Sequence, residues 1–106
     1  MFDRQTAPLT IAMTVLTPET IRDVKSWGYT SRAFSILDRW AMNSPDELKK
    51  LESQGGIAFD LRLYEQQQKE TQVLNSETAR LARMRGMSDW EILENSGIET
   101  QLRISA

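Results

Sequence analysis

The side chains best suited to chemistry are arginines and polar residues in the last third of the sequence. The candidate set is Arg80, Arg83, Arg85, Thr100, Gln101 and Arg103. An arginine guanidinium is always charged and suits phosphate oxygens, whereas threonine and glutamine can hydrogen-bond to base edges. This set is therefore a candidate DNA contact. An alternative interpretation is that these arginines form a solvated face, because five nearby acidic residues reduce the local positive charge.

Helices must position these residues. Ser88 and Glu91 have the spacing of a capping box, which predicts a helix that ends at Gly97. We expect a second short helix to follow, over residues 98–102. A helix, a tight glycine turn and a second helix form the skeleton of a helix-turn-helix unit. The sequence therefore predicts a helix-turn-helix-like tail over residues 76–106.

The sequence contains neither cysteine nor histidine. Disulfides and the ordinary zinc sites are therefore excluded, and the commonest general base is missing. The serine, threonine, lysine and carboxylate residues that remain do not stand in a motif that would activate them. We therefore expect no catalytic activity, no metal site and no cofactor.

Length and charge narrow the class of protein further. The 106 residues suit one domain, and the 40% apolar share allows a modest core that a partner chain could complete. The formal net charge of −2 does not favour coating nucleic acid through bulk electrostatics. The first residues do not resemble a signal peptide, and no stretch has membrane-spanning length. We expect a cytoplasmic protein without membrane contact.

Glycine and proline residues divide the rest of the sequence into helices. Residues 1–8 are polar and are expected to form a frayed tail, whereas the apolar run 9–16 fits either a strand or a buried helix. Thr17 precedes a helix that stops at Gly28, a second helix follows, and a third starts at Pro45. The sequence therefore predicts a small, mainly α domain.

Apolar residues alternate over residues 57–63, which predicts one short strand, followed at 64–71 by a solvated loop or a helix without a core. An unpaired strand edge invites a second chain, so a homodimer is expected. Segment 9–63 would form the dimerisation and core part. Its expected dimer or partner contacts are Leu16, Ile21, Trp27, Phe34, Leu37, Trp40, Ile57, Phe59 and Leu61.

Residues 27–63, taken as one block, resemble FlhD, the DNA-associated subunit of the flagellar master transcriptional activator, and the FlhD-like activator subunits of conjugative elements. The matching features are the glycine turn at 27–29, the proline-started helix with Leu-Lys-Lys-Leu at 48–51, and the run at 57–63. Phe59 lies where the family commonly has a cysteine that bridges two subunits. The resemblance therefore implies a dimer held without a covalent link.

The resemblance also implies a function. FlhD-like proteins form intertwined helical homodimers and join a zinc-containing FlhC-like partner in a complex that binds promoter DNA and recruits RNA polymerase. The chain would then be a transcriptional activator subunit whose arginine-bearing tail meets DNA once a partner presents it. A second hypothesis is a phage- or plasmid-encoded interaction protein, such as an inhibitor or an assembly chaperone. That protein would use the same apolar helices and make no DNA contact.

Overall fold

Six α-helices follow one another along residues 9–103, the part of the chain that the computed structural model describes. A 3-10 turn over Ala12–Thr14 precedes them. The helices are α1 (Pro18–Ser26), α2 (Ser31–Asn43), α3 (Pro45–Ser53), α4 (Gly56–Leu74), α5 (Glu77–Met84) and α6 (Asp89–Ser96). Residues 9–103 contain no strand, and the prediction of a mainly α fold is confirmed. The expected tail at 1–8 and the last three residues, 104–106, lie outside the described residues.

The helix ends follow the local signals in the sequence. The Thr17 side chain accepts a hydrogen bond from the Thr20 N–H at 3.3 Å, with Pro18 at the first helical position of α1. Gly28 then turns the chain with φ +81°, a conformation that favours glycine. These boundaries agree with the predicted ones.

The apolar run at 9–16 folds as a single turn that α2 holds in place. Leu9, Ala12 and Leu16 are buried. The Asp38 carboxylate on α2 accepts hydrogen bonds from the backbone N–H groups of Leu9 at 3.0 Å and Ala12 at 2.8 Å. A side chain of α2 therefore supplies the hydrogen bonds that a strand partner or a longer helix would have supplied.

The predicted strand at residues 57–63 is wrong, because this run forms the first turns of α4. Residues four apart share a helix face, so alternating apolar residues fall on two opposite faces. Phe59 and Leu63 point into the core, whereas Ile57 and Leu61 point outward. The polar residues at 64–71 continue the same helix instead of forming a loop, and many of them are good helix formers.

The buried side chains form two clusters that α4 connects. The larger one is built from the segment 9–63 together with Leu102, and Trp40 is its largest fully buried side chain. The smaller one is built from Leu74, α5 and α6. The described residues contain no helix that is both long enough and apolar enough to cross a membrane.

Candidate protein-interaction surfaces

Two of the arginines predicted to contact DNA lie on α5 and are paired with carboxylates. Arg80 Nε donates to Glu77 Oε1 at 3.1 Å, and Arg83 Nε donates to Asp89 Oδ1 at 3.0 Å. Arg80 lowers the pKa of the Glu77 carboxyl below its usual value. Because both pairs are solvent-exposed, water screens their charges and each pair contributes little to stability. A phosphate could therefore compete for either guanidinium.

The other two arginines differ from each other. Arg85, just after α5, is exposed and forms no ion pair with any residue between 9 and 103. Arg103 Nε donates to Glu99 Oε2 at 2.7 Å, and this contact lowers the pKa of the Glu99 carboxyl. Arg85 is therefore the guanidinium that an anion could approach with the least competition from the protein.

The second helix predicted after Gly97 does not form. The α6 capping box at Ser88 and the left-handed Gly97 are both present, but residues 98–103 are not helical. The Thr100 carbonyl instead accepts hydrogen bonds from Arg39 Nε at 2.9 Å and Trp40 Nε1 at 3.2 Å. The helix pair of this region is α5 and α6, with a turn at Gly86 between them.

The two polar residues expected to face base edges lie against the protein. Thr100 is buried, at 3% exposure. Gln101 is half-buried, and its Oε1 atom has no hydrogen-bond partner within the described part of the chain. In this arrangement the exposed candidates for DNA contact are the arginines alone.

The predicted interface residues separate into core and surface. Five are buried in the chain's own core: Leu16, Ile21, Leu37, Trp40 and Phe59. Phe34 is half-buried and packs on that core. Trp27, Ile57 and Leu61 remain exposed, and the last two lie on α4. Two of the three predicted interface residues that remain exposed therefore lie on α4.

An apolar stripe runs along the outside of α4. Ile57 is 81% exposed, Leu61 63% and Tyr64 53%, and Gln68 continues the line. We call these four residues the α4 outer stripe. Their spacing of four, three and four residues is that of a coiled-coil seam. Sequence reasoning missed Tyr64 because the strand prediction ended at Leu63, although the heptad spacing was already visible.

One side of the stripe is held by aromatic residues from the turn before α2. The Tyr29 hydroxyl donates to Asp60 of α4, where two acceptors lie within reach. These are the side-chain carboxylate and the backbone carbonyl oxygen, the latter at 3.0 Å. Burial, followed by the Asp60 contact, raises the pKa of Tyr29 above its usual range. Trp27 packs on Tyr29 and Phe59, with ring centroids 6.1 Å and 6.5 Å apart. Trp27 and Tyr29 therefore pack against α4 along one flank of the stripe.

The opposite face of α4 holds a buried carboxylate. Glu70 is fully buried and pairs with Arg39, whose Nη1 lies 3.2 Å from Glu70 Oε1. Gln66 Nε2 donates to Glu70 Oε2 at 2.8 Å and to the Glu99 carbonyl at 2.9 Å. A buried charge is tolerated when it is paired and hydrogen-bonded in this way. No local pattern in the sequence indicates the ion pair, because Arg39 lies 31 positions from Glu70.

The buried carboxylate also connects to the arginines of the tail. Arg32 lies 3.9 Å from Glu70 and 3.2 Å from Asp89. Asp89 in turn pairs with Arg83. A chain of alternating charges therefore runs from the half-buried Arg39 to the exposed Arg83, and it links α5 and α6 to α2 and α4.

A second apolar surface lies in a groove bordered by the end of α4, α5 and α6, with a volume of about 560 Å³. Its apolar lining includes Val73, Ala79, Ala82, Met87 and Ile92. Polar side chains, Arg85 among them, also line it. Concave, mainly apolar sites of this size are typical of ligand or peptide contacts.

These surfaces offer apolar contact and ion pairing. Within residues 9–103 no three carboxylates gather in a group that could hold a metal ion. The sequence matches no protein-family model, and neither a curated protein nor a solved structure is detectably similar to it.

Proposed function

We propose that this chain is a dimerising subunit of an FlhD-like transcription-activating complex in the cytoplasm. It would join a zinc-containing FlhC-like partner, and the assembled complex would bind promoter DNA and contact RNA polymerase. The observation that carries the proposal is the α4 outer stripe, whose three large apolar side chains are each more than half exposed. An apolar seam with coiled-coil spacing is stabilised when another chain covers it. Neither this role nor the alternative below involves catalysis.

The arginines would act after assembly. Arg80 and Arg83 hold only exposed, weak ion pairs, and Arg85 stands beside them. A partner that holds α5 against a duplex would let phosphates replace the carboxylates, because ion pairs exposed to water are weak. With a net charge of −2, the chain alone would bind DNA weakly.

The test has two stages. The solution mass of the purified chain is measured alone and after co-expression with any cysteine-rich zinc protein encoded beside it, and the complex is then titrated with promoter DNA at several salt concentrations. We expect a dimer alone and a larger complex that shifts DNA. A monomer that ignores such a partner would remove the basis of the proposal.

Charge removal on α5 tests the DNA surface. The triple variant Arg80→Ala, Arg83→Ala, Arg85→Ala should weaken DNA binding by the complex and flatten its salt dependence, by about one log–log unit for each lost phosphate contact. The control is Lys49→Ala with Lys50→Ala, which removes two exposed charges from α3, and the effects are compared per charge removed. Equal effects per charge would mean that only bulk charge matters.

A second candidate function is an interaction protein without DNA contact, such as a phage- or plasmid-encoded inhibitor or assembly chaperone. The ion pairs favour it, because Arg80, Arg83 and Arg103 each hold a carboxylate of the same chain. The burial of Thr100 favours it as well. Under this function the triple arginine variant should behave as the unchanged protein does, whereas Leu61→Glu should abolish capture of the partner.

A further inference from the structure

The α4 outer stripe has a spacing that reads the same in both directions. Its members follow one another after four, three and four residues, from Ile57 to Gln68. A copy of the helix running the opposite way therefore presents its own stripe at matching heights. The stripe lies opposite the buried face of α4, so the chain's own core does not obstruct a second helix there.

We infer that the occupant of this stripe is the same stripe of a second copy, packed antiparallel. Leu61 then faces Tyr64 of the partner subunit, and Ile57 faces Gln68 of the partner subunit. The two-fold axis passes between Leu61 and Tyr64, so every contact occurs twice, as in an isologous interface. This inference rests on the proposed dimer and adds the surface, the direction and the register.

The charges beside the stripe decide the direction. Asp60 lies on one flank and Glu65 on the other. In a parallel pair, one flank of the first helix contacts the other flank of the second helix. A residue on that first flank then lies next to the residue five positions further along the partner helix. That offset brings Asp60 next to Glu65 of the partner subunit, twice per dimer. Like charges at such positions are destabilising, and the contacts of Glu65 with Arg62 at 3.7 Å and of Asp60 with the Tyr29 hydroxyl reduce the repulsion without removing it.

An antiparallel pair avoids this repulsion. Equivalent flanks of the two helices then meet, so Asp60 approaches Gln67 of the partner subunit and Glu65 approaches Ala58 of the partner subunit. Neither neighbour carries a charge. The spacing of the apolar seam therefore permits the antiparallel arrangement, and the flanking charges favour it.

Cysteine cross-linking tests the direction in a chain that has no cysteine of its own. We would prepare Ile57→Cys and Gln68→Cys separately, oxidise each alone and as a mixture, and separate the products without reductant. Both positions are exposed, so neither change disturbs the core. Ser35→Cys, at an exposed site on α2, measures random collisions.

The antiparallel arrangement predicts a cross-linked dimer in the mixture and none above background in the single variants. Two copies of position 57 would be about 16 Å apart along the helix axis, beyond the Cα separation of about 7 Å that a disulfide spans. A cross-link in Ile57→Cys alone would show a parallel pair and overturn the inference while leaving the proposed dimer in place. A dimer by mass without any of these cross-links would overturn it too. A monomer by mass would overturn both the inference and the proposed function.

Discussion

The inner and outer faces of α4 each depart from the usual distribution of side chains on a surface helix. The inner face carries Gln66 and Glu70, which are fully buried, beside Phe59 and Leu63. The outer face carries the exposed apolar stripe. Burial of Glu70 is possible because Arg39 and Gln66 satisfy its charge and its hydrogen bonds. The inner face of this helix therefore buries polar residues beside apolar ones, because other side chains satisfy their charge and their hydrogen bonds.

The two faces also differ in what completes them. The inner face is completed within the chain, because Gln66 and Arg39 donate to the carbonyls of Glu99 and Thr100 and so hold the C-terminal segment. The outer face leaves large apolar side chains in water, and nothing in residues 9–103 covers them. The inner face therefore stabilises the fold, and the outer face is available for assembly.

The largest expected effect lies at the buried carboxylate. Glu70→Ala leaves Arg39, whose side chain is only 12% exposed, without its main counter-charge and should cost about 3 kcal/mol of unfolding free energy in urea denaturation. The control on the same helix is Glu65→Ala, an exposed glutamate whose loss should change stability by less than about 0.5 kcal/mol. If both variants unfolded at the same urea concentration, the buried pair would not stabilise the fold.

Two leucines two positions apart give the sharpest contrast between the faces. Leu63 is fully buried, and Leu63→Ala should cost about 2–5 kcal/mol through lost burial and a residual cavity. Leu61→Ala removes the same atoms from an exposed site and should change the stability of the monomer by less than about 0.5 kcal/mol. Both are measured at a dilution where the mass is that of a monomer. Similar losses at the two sites would refute the assignment of the faces.

A charge on the outer face should affect assembly without affecting the fold. Leu61→Glu places a carboxylate at the centre of the stripe and should weaken the dimer by about 2 kcal/mol, roughly 30-fold in Kd. Sedimentation equilibrium measures the Kd, and circular dichroism checks that the helices remain. An unchanged dimer would mean that the interface lies away from α4.

The smallest effect concerns the flank between the two faces. Tyr29→Phe removes the hydrogen bond to Asp60 and should cost about 1 kcal/mol at neutral pH. The fold raises the pKa of Tyr29, whereas the unfolded chain ionises this group near pH 10. The stability that this shift provides is therefore complete below about pH 10 and falls as the pH rises further. As the pH is raised from about 8 to about 11, on either side of the ordinary tyrosine pKa, the urea midpoint should fall less steeply for Tyr29→Phe than for the unchanged protein.

Local signals were the part of the fold that the sequence predicted well. The caps at Thr17 and Ser88 and the left-handed glycines at 28 and 97 act within a few residues, so residue type and spacing were sufficient. The run at 57–63 failed for a physical reason: seven residues with alternating apolar side chains also suit a helix with one apolar face inside and one outside. The longer context of α4 decided between the two.

Residue types and their local spacing were enough to predict a helical chain, the positions of most helix ends, and the absence of cysteine and histidine chemistry. Which residues are core and which are surface depends on the packing of the helices. Glu70 is buried because of Arg39, 31 positions away, and Thr100 is held by Trp40, 60 positions away. Such contacts depend on how helices pack, and no local pattern of residue types encodes them.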